Sequence, residues 1–278
     1  MRTHQLSLGA LTVMELAPDD MVSCAAEAGY DCVGLRILPA TTTEVTWPTI
    51  GDTPLTRSIA RRLADTGVRL LDIEIFRLLP ETDVEAFVRA LETGAGLGAT
   101  QVLVAGNDPD PVRLADRFAA LCDLGAPLGL TMNVEPMPWT EVKNVSQGLR
   151  LLAAAGRPNA GLLIDPIHFD RGGDVPANIA AIPRARLRYM QLCDAPAERP
   201  RDVETLIFQA RSERLMPGDG GLDLEGILRA MPSDIPIALE VPMRTLAQTV
   251  PAVERARRMR VKAEALLATL TGTGEREV

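Results

Sequence analysis

The stretch GLLID at residues 161–165 is a short apolar run that ends in a carboxylate, and comparable runs recur along the chain. Each is separated from the next by about the length of one helix and two loops, which is typical of alternating strands and helices. Because apolar residues fill both faces, we expect strands buried between helices in a parallel sheet. The eight predicted strands are Gln5–Leu11, Cys32–Ile37, Arg69–Ile75, Gln101–Ala105, Leu130–Glu135, Gly161–Asp165, Leu187–Cys193 and Pro236–Glu240.

The segments between these runs have helical periodicity. One apolar stripe has the spacing i, i+3, i+4 and i+7 and consists of Val84, Phe87, Val88 and Leu91. The last helix is expected over Val250–Leu270, followed by a frayed polar tail over Thr271–Val278. Eight strand–helix units in one chain predict a (β/α)₈ TIM barrel that forms a single domain over residues 1–278. An open doubly wound sheet is the alternative, but Gly9 stands alone where a glycine fingerprint would be expected.

The overall composition excludes several classes of protein. Hydrophobic residues make up 46% of the 278 residues, which is too many for a disordered chain. The net charge of −8 and the 3% aromatic content argue against nucleic acid and against anionic membranes as partners. We find no apolar run of about 18 residues and no secretory h-region over residues 1–9, so the sequence predicts a cytoplasmic protein.

The cysteines support the same location. Four are present, none in a CxxC pair, and we expect reduced, buried thiols: Cys24, Cys32, Cys122 and Cys193. Apolar residues on the predicted helices allow a homodimer.

Four polar residues lie at the carboxyl ends of consecutive predicted strands: Glu135, Asp165, Gln191 and Glu240. Any one of them alone would more often cap the following helix. Three carboxylates that converge on a barrel mouth repel one another unless they share protons or surround a cation. Carboxylate and amide oxygens are hard ligands that suit Mg²⁺ or Mn²⁺. The sequence therefore predicts a divalent metal site.

Several motifs around these positions resemble a known family, the sugar phosphate isomerase/epimerase superfamily of xylose-isomerase-like barrels. They are Glu135, the segment DPIH at 165–168, Gln191 with CDAP at 193–196, the turn PGDGG at 217–221 and LEV at 239–241. The resemblance covers nearly the whole chain. It implies that Glu135, Asp165, Gln191 and Glu240 bind one Mn²⁺, Mg²⁺ or Co²⁺ ion.

One departure from the epimerase pattern points to a branch of the family. Many sugar epimerases of the family place His where this chain has Gln191. Together with the CDAP segment and Arg214 shortly before the glycine turn, this looks more like the bacterial 3-dehydroshikimate dehydratase branch. That branch uses the same metal site for a dehydration.

Isomerisation, epimerisation and β-elimination beside a ketone begin with the same step, removal of a proton α to a carbonyl. By resemblance, Glu135 and Glu240 form the acid/base pair that moves this proton. His168 follows Asp165 by three residues at the predicted mouth, and we expect it to bind substrate or transfer a proton.

Further side chains at the predicted mouth are candidates for substrate binding: Arg214, Asp194, Trp139 and Asn107. Arg214 is the expected anion ligand, and Arg36 and Arg77 are additional candidates for an anion clamp. A Schiff-base mechanism is unlikely because Lys143 and Lys262, the two lysines, both lie away from strand ends.

The sequence therefore predicts a metal-dependent isomerase or epimerase that acts on a small polyhydroxylated carbonyl compound. A dehydratase acting on a cyclic keto-polyol is the second reading, and a barrel that binds metal or small molecules without turnover is the third.

Overall fold

Eight strands, all parallel, form one sheet in the computed structural model, which describes residues 4–271. They are β1 Leu6–Leu8, β2 Cys32–Arg36, β3 Arg69–Leu78, β4 Gln101–Gly106, β5 Thr131–Val134, β6 Ala160–Leu162, β7 Met190–Leu192 and β8 Ile237–Leu239. Every predicted strand is present, although most are shorter than the apolar run that predicted them.

The sheet closes on itself in the order β6-β5-β4-β3-β2-β1-β8-β7. Its two ends meet through a parallel bridge between Ile164 and Met190. The backbone N–H of Gln191 donates to the Ile164 carbonyl at this junction, at 3.0 Å. The predicted (β/α)₈ TIM barrel is therefore confirmed.

Helices surround the barrel: α1 Pro18–Ala28, α2 Pro54–Thr66, α3 Val88–Gly96, α4 Pro111–Gly125, α5 Val145–Ala155, α6 Pro166–Arg171, α7 Pro176–Ile179, α8 Val203–Ser212, α9 Leu224–Ala230 and α10 Ala252–Thr271. Short 3₁₀ turns occupy Ala10–Val13, Val84–Phe87, Ala126–Leu128, Arg184–Arg186 and Leu246–Gln248. Proline begins several helices, where its missing N–H costs nothing. The predicted last helix corresponds to α10, and residues 272–278 of the predicted tail lie outside the described residues.

The apolar core has two parts. Most of it lies between the strands and the outer helices, and a smaller cluster that includes Leu71, Leu103 and Leu163 fills the barrel interior. The four cysteines are free and buried, as the composition predicted. Within residues 4–271, no helix combines the length and the apolar character needed to cross a membrane.

Candidate active site

The four predicted metal ligands lie at one end of the barrel, each positioned by its strand. Glu135 directly follows β5 and Glu240 directly follows β8. Gln191 is the central residue of β7. Asp165 follows β6 and is the N-cap of α6, where its Oδ1 accepts the Ile167 amide at 3.0 Å. All four side chains are buried, so the apolar strands hold polar groups in the barrel mouth.

Three ligand-type side chains cluster closely enough to hold a metal ion. One donor atom each from Glu135, Asp165 and His168 lies within 4.8 Å of the others. The His168 Nε2 atom is 3.7 Å from Glu135 Oε1 and 3.8 Å from Asp165 Oδ2. His168 was predicted as a catalytic or substrate-binding residue, and its position makes it a candidate ligand as well.

A buried arginine compensates the negative charge of this cluster. Arg214 Nη1 donates to Asp165 Oδ2 at 2.6 Å, and Arg214 Nη2 lies 3.0 Å from Glu240 Oε2. The same guanidinium donates from Nε to the Ala210 carbonyl at 2.6 Å. Arg214 was predicted to bind a substrate anion; it lines the pocket and also pairs with two predicted metal ligands.

Burial changes the acidity of the carboxyl groups in this cluster. Burial and the neighbouring charge of Asp165 raise the pKa of Glu135 well above its ordinary value. Burial also raises the pKa of Glu240 to about 8, against the opposing effect of Arg214. For Asp165, burial acts in the same direction, but Arg214 and His168 outweigh it and the pKa is lowered. The arginine therefore favours the ionised form of Asp165.

His168 is a neutral imidazole at physiological pH. Burial lowers its pKa to about 4. Its ring meets Trp139 edge to face, with 4.9 Å between the ring centres, and its Nδ1 atom is buried without a hydrogen-bond partner. A neutral ring can bind a metal or accept a proton, whereas a protonated ring could do neither.

A pocket of about 100 Å³ opens above these residues. Its lining includes Glu135, His168, Glu240, Arg214 and Trp139, so five predicted site residues share one cavity. The remaining lining combines apolar side chains, the carboxylate of Glu44 and three arginines, of which Arg36 and Arg77 were the additional anion-clamp candidates: Leu11, Arg36, Ala40, Glu44, Ile75, Arg77, Leu103, Met137 and Arg211. The arginines of this lining favour an anionic ligand.

Two predicted substrate-binding residues lie outside the lining of this pocket. Asp194 Oδ2 accepts the amides of Gly218 and Gly220 at 3.1 and 2.9 Å, and Asp194 Oδ1 accepts those of Ala195 and Leu222 at 2.8 and 3.2 Å. Its carboxylate therefore shapes the glycine turn instead of facing the cavity. Asn107 follows β4, and its backbone N–H donates to the Leu78 carbonyl at 2.9 Å.

The sequence reading missed several residues of the pocket. Arg211 lies on α8, three residues before Arg214. Glu44 lies in the loop between β2 and α2. Glu74 lies within β3, outside the lining of the pocket, and pairs with the lining residue Arg36. The apolar run that ends at Ile75 was a signal for Glu74, whereas no local pattern marks Glu44.

The sequence also matches a known family across most of its length. A sequence model described as a xylose isomerase-like TIM barrel matches residues 22–264. The chain belongs to the xylose isomerase-like TIM barrel family. The resemblance predicted from the strand-end motifs is thereby confirmed.

Two curated proteins with similar sequences are both named 3-dehydroshikimate dehydratase. The relative from Pseudomonas aeruginosa is 31% identical over 202 residues, which is 66% of this chain and 31% of the relative. The relative from Pseudomonas putida is 26% identical over 186 residues, which is 62% of this chain and 28% of the relative. This chain therefore spans about a third of the length of the curated relatives it matches.

The fold is also similar to solved structures. A xylose isomerase-like TIM barrel/4-hydroxyphenylpyruvate dioxygenase fusion protein superposes with a TM-score of 0.79 at 21% identity. The match covers 96% of this chain and 43% of that protein. At this level of identity the likeness supports the barrel architecture alone.

Proposed function

We propose that this xylose isomerase-like barrel is a divalent-metal-dependent dehydratase that acts on a cyclic keto-polyol such as 3-dehydroshikimate. The observation that carries the proposal is that the Glu135 and Asp165 carboxylates and the His168 ring each place one atom within 4.8 Å of the others beside the pocket, so that a metal site and a proton-transfer group adjoin. The names of the two curated relatives favour dehydration among the reactions that such a site supports.

The donor set suits a hard divalent cation. Glu135, Asp165 and Glu240 offer carboxylates and Gln191 offers an amide oxygen, the ligands preferred by Mg²⁺ and Mn²⁺. Two of these oxygens, Glu135 Oε1 and Gln191 Oε1, are buried and have no hydrogen-bond partner among residues 4–271. Buried oxygens without partners are costly, and a cation would satisfy them. When bound, it would polarise the ketone and stabilise the negative charge that develops on it.

The protein's own residues would move the protons. In the dehydration, a base removes the proton α to the ketone, and the freed electron pair forms a C=C bond as the β hydroxyl leaves. That hydroxyl gains a proton and departs as water. We assign proton transfer to His168, since its neutral ring lines the pocket beside Glu135. Glu240 is held by Arg214 at 3.0 Å, and this contact orients it toward the pocket.

The two other readings of the sequence make different products. An isomerase or epimerase exchanges the α proton with solvent and returns a sugar of unchanged composition. A dehydratase releases water, and its ring product tautomerises to an ultraviolet-absorbing dihydroxybenzoate when the substrate is 3-dehydroshikimate. A binding barrel does neither.

The test follows from these differences. Protein reconstituted with Mn²⁺ is incubated in D₂O with 3-dehydroshikimate or with a ketose, and products are followed by absorbance and proton NMR. We expect dehydration of the first substrate, abolished by a chelator and by His168→Gln. His4→Gln is the matched control, because His4 is the other histidine of the chain and is not part of the pocket lining. Its Nδ1 atom lies 3.0 Å from the Ile235 carbonyl oxygen. Deuterium exchange into the ketose without dehydration would instead identify an isomerase.

A further inference from the structure

One wall of the pocket carries three arginines that differ in how their charge is compensated. Arg36 contacts two carboxylates: its Nη1 is 3.1 Å from Glu44 Oε1 and its Nη2 is 2.9 Å from Glu74 Oε1. Arg77 and Arg211 also line the cavity, yet within residues 4–271 neither forms an ion pair with a carboxylate. The wall therefore retains positive charge that the protein does not neutralise.

Arg77 and Arg211 lie close enough to repel each other. Burial lowers the pKa of Arg77, and the charge of Arg211 lowers it further. The Arg77 Nε atom is buried without a hydrogen-bond partner. The Arg211 guanidinium carbon is 5.7 Å from the centre of the Trp139 ring, so an aromatic face rather than an anion supports it. Two half-buried guanidinium groups in this state favour an added anion.

The loop between β2 and α2 places a carboxylate beside this pair. Glu44 lines the pocket, and its charge acts on both Arg77 and Arg211. Its Oε2 accepts the Ala40 amide at 2.8 Å, and its Oε1 pairs with Arg36. The neighbouring residue Val45 is 66% exposed. The tip of this loop is therefore exposed to solvent beside the residue that pairs with Arg36.

We propose that Arg77 and Arg211 form a subsite for a carboxylate of the substrate, and that Glu44 occupies this end of the pocket until the substrate displaces it. The inference rests on the proposed function. It adds the site that binds the substrate carboxylate and the residue, Glu44, that this carboxylate displaces. Arg36 would remain paired with Glu74 after Glu44 leaves. Exchange of one carboxylate for another keeps the charge beside these arginines compensated.

Binding of unreactive probes tests this subsite without turnover. Shikimate has a carboxylate but no ketone, its methyl ester lacks the charge, and inorganic phosphate represents the alternative anion. Titration calorimetry on the Mn²⁺-reconstituted protein should show tighter binding of shikimate than of the ester. Arg77→Gln and Arg211→Gln should each reduce this preference about tenfold, as expected for loss of a charge-assisted hydrogen bond.

The Glu44 variant tests displacement. Glu44→Gln keeps an acceptor for the Ala40 amide and removes the charge, so it should tighten shikimate binding about three- to tenfold and leave the ester unchanged. Arg57→Gln, which breaks an exposed pair with Asp52, is the control and should alter neither probe. Circular dichroism and bound Mn²⁺ confirm folding of each variant, and Glu44→Ala provides a second variant if the first is poorly folded.

Three outcomes would overturn the inference. They are an unchanged preference for shikimate in both arginine variants, equal or weaker shikimate binding in Glu44→Gln, and displacement of shikimate by phosphate at equal concentration. Failure of the proposed function is separable, because a protein that prefers shikimate to its ester but dehydrates nothing would retain the subsite and lose the dehydratase assignment.

Discussion

Arg214 and Asp165 form a buried ion pair, with 2.6 Å between Nη1 and Oδ2, at the centre of the barrel mouth. The sequence predicted that the carboxylates would share protons or surround a cation, and the structure adds a resident guanidinium as another means of compensation. Arg214→Gln should therefore leave Asp165 and Glu240 buried without their partner. We expect a loss of about 3–5 kcal/mol in the free energy of unfolding of metal-free protein, measured by urea denaturation.

Mn²⁺ should restore part of that loss, since a bound cation replaces the missing positive charge. Arg57→Gln is again the control: its ion pair with Asp52 is mostly exposed, and its removal should cost less than about 1 kcal/mol. Equal stability of the two variants would show that Arg214 does not compensate the cluster.

The metal site predicts coupled loss of ion and activity. Glu240→Gln and Asp165→Asn should each reduce Mn²⁺ content, which elemental analysis of the reconstituted protein measures, with little change in the circular dichroism spectrum. The physical reason is that each change removes one anionic oxygen from the donor set. Full metal occupancy in both variants would reject these residues as ligands.

Trp139 should report on ligand binding. It lines the pocket against His168, whereas Trp47, the other tryptophan, lies in the β2–α2 loop outside that lining. In Trp47→Phe, emission from Trp139 should change when shikimate saturates the protein. In Trp139→Phe the change at the remaining indole should be smaller. A constant signal in Trp47→Phe would remove Trp139 from the binding surface.

The thiols should be unreactive in the folded protein. Burial raises the pKa of Cys24 and Cys122 to about 12 and that of Cys32 to about 11. Raised pKa values leave little thiolate at pH 8, about one molecule in a thousand for a pKa of 11. A disulfide-exchange reagent should therefore label all four cysteines only after denaturation. Rapid labelling of native protein would contradict their burial.

Two glycines should respond in opposite directions to alanine. A Cβ at Gly220 would lie 2.3 Å from both the Ala195 carbonyl oxygen and Asp194 Oδ1, so Gly220→Ala should destabilise the protein by about 1–3 kcal/mol. A Cβ at Gly96, in the last turn of α3, meets nothing within 4 Å. Gly96→Ala should stabilise by about 0.5–1 kcal/mol. Thermal unfolding of the pair measures both effects.

The strands were predictable because each is a continuous apolar run. The strand-end carboxylates were predictable because each is the polar residue at which such a run ends. Glu135 and Glu240 are examples, each directly following a strand. Gln191 occupies the middle of a shorter strand, which the sequence could not distinguish from its end.

The partners of the charged residues were not predictable. Arg214 pairs with Asp165 across 49 positions of sequence, and no local spacing connects them. Asp194 resembled a substrate ligand, yet its oxygens accept backbone amides of a turn more than twenty residues away. Glu44 contacts Arg36 because a loop folds back over the pocket. Such contacts depend on how loops pack against one another, which composition and periodicity do not encode.

The junction between β6 and β7 has a consequence for local motion. The Ile164–Met190 bridge and the hydrogen bond from the Gln191 backbone N–H join the two ends of the sheet. Two predicted ligands flank that junction, Asp165 on one side and Gln191 on the other. An ion bound by both side chains would link β6 to β7, the neighbouring strands that share the fewest backbone pairs. Hydrogen exchange of the Gln191 amide should therefore slow when Mn²⁺ is added, more than exchange of amides within the long ladder between β3 and β4.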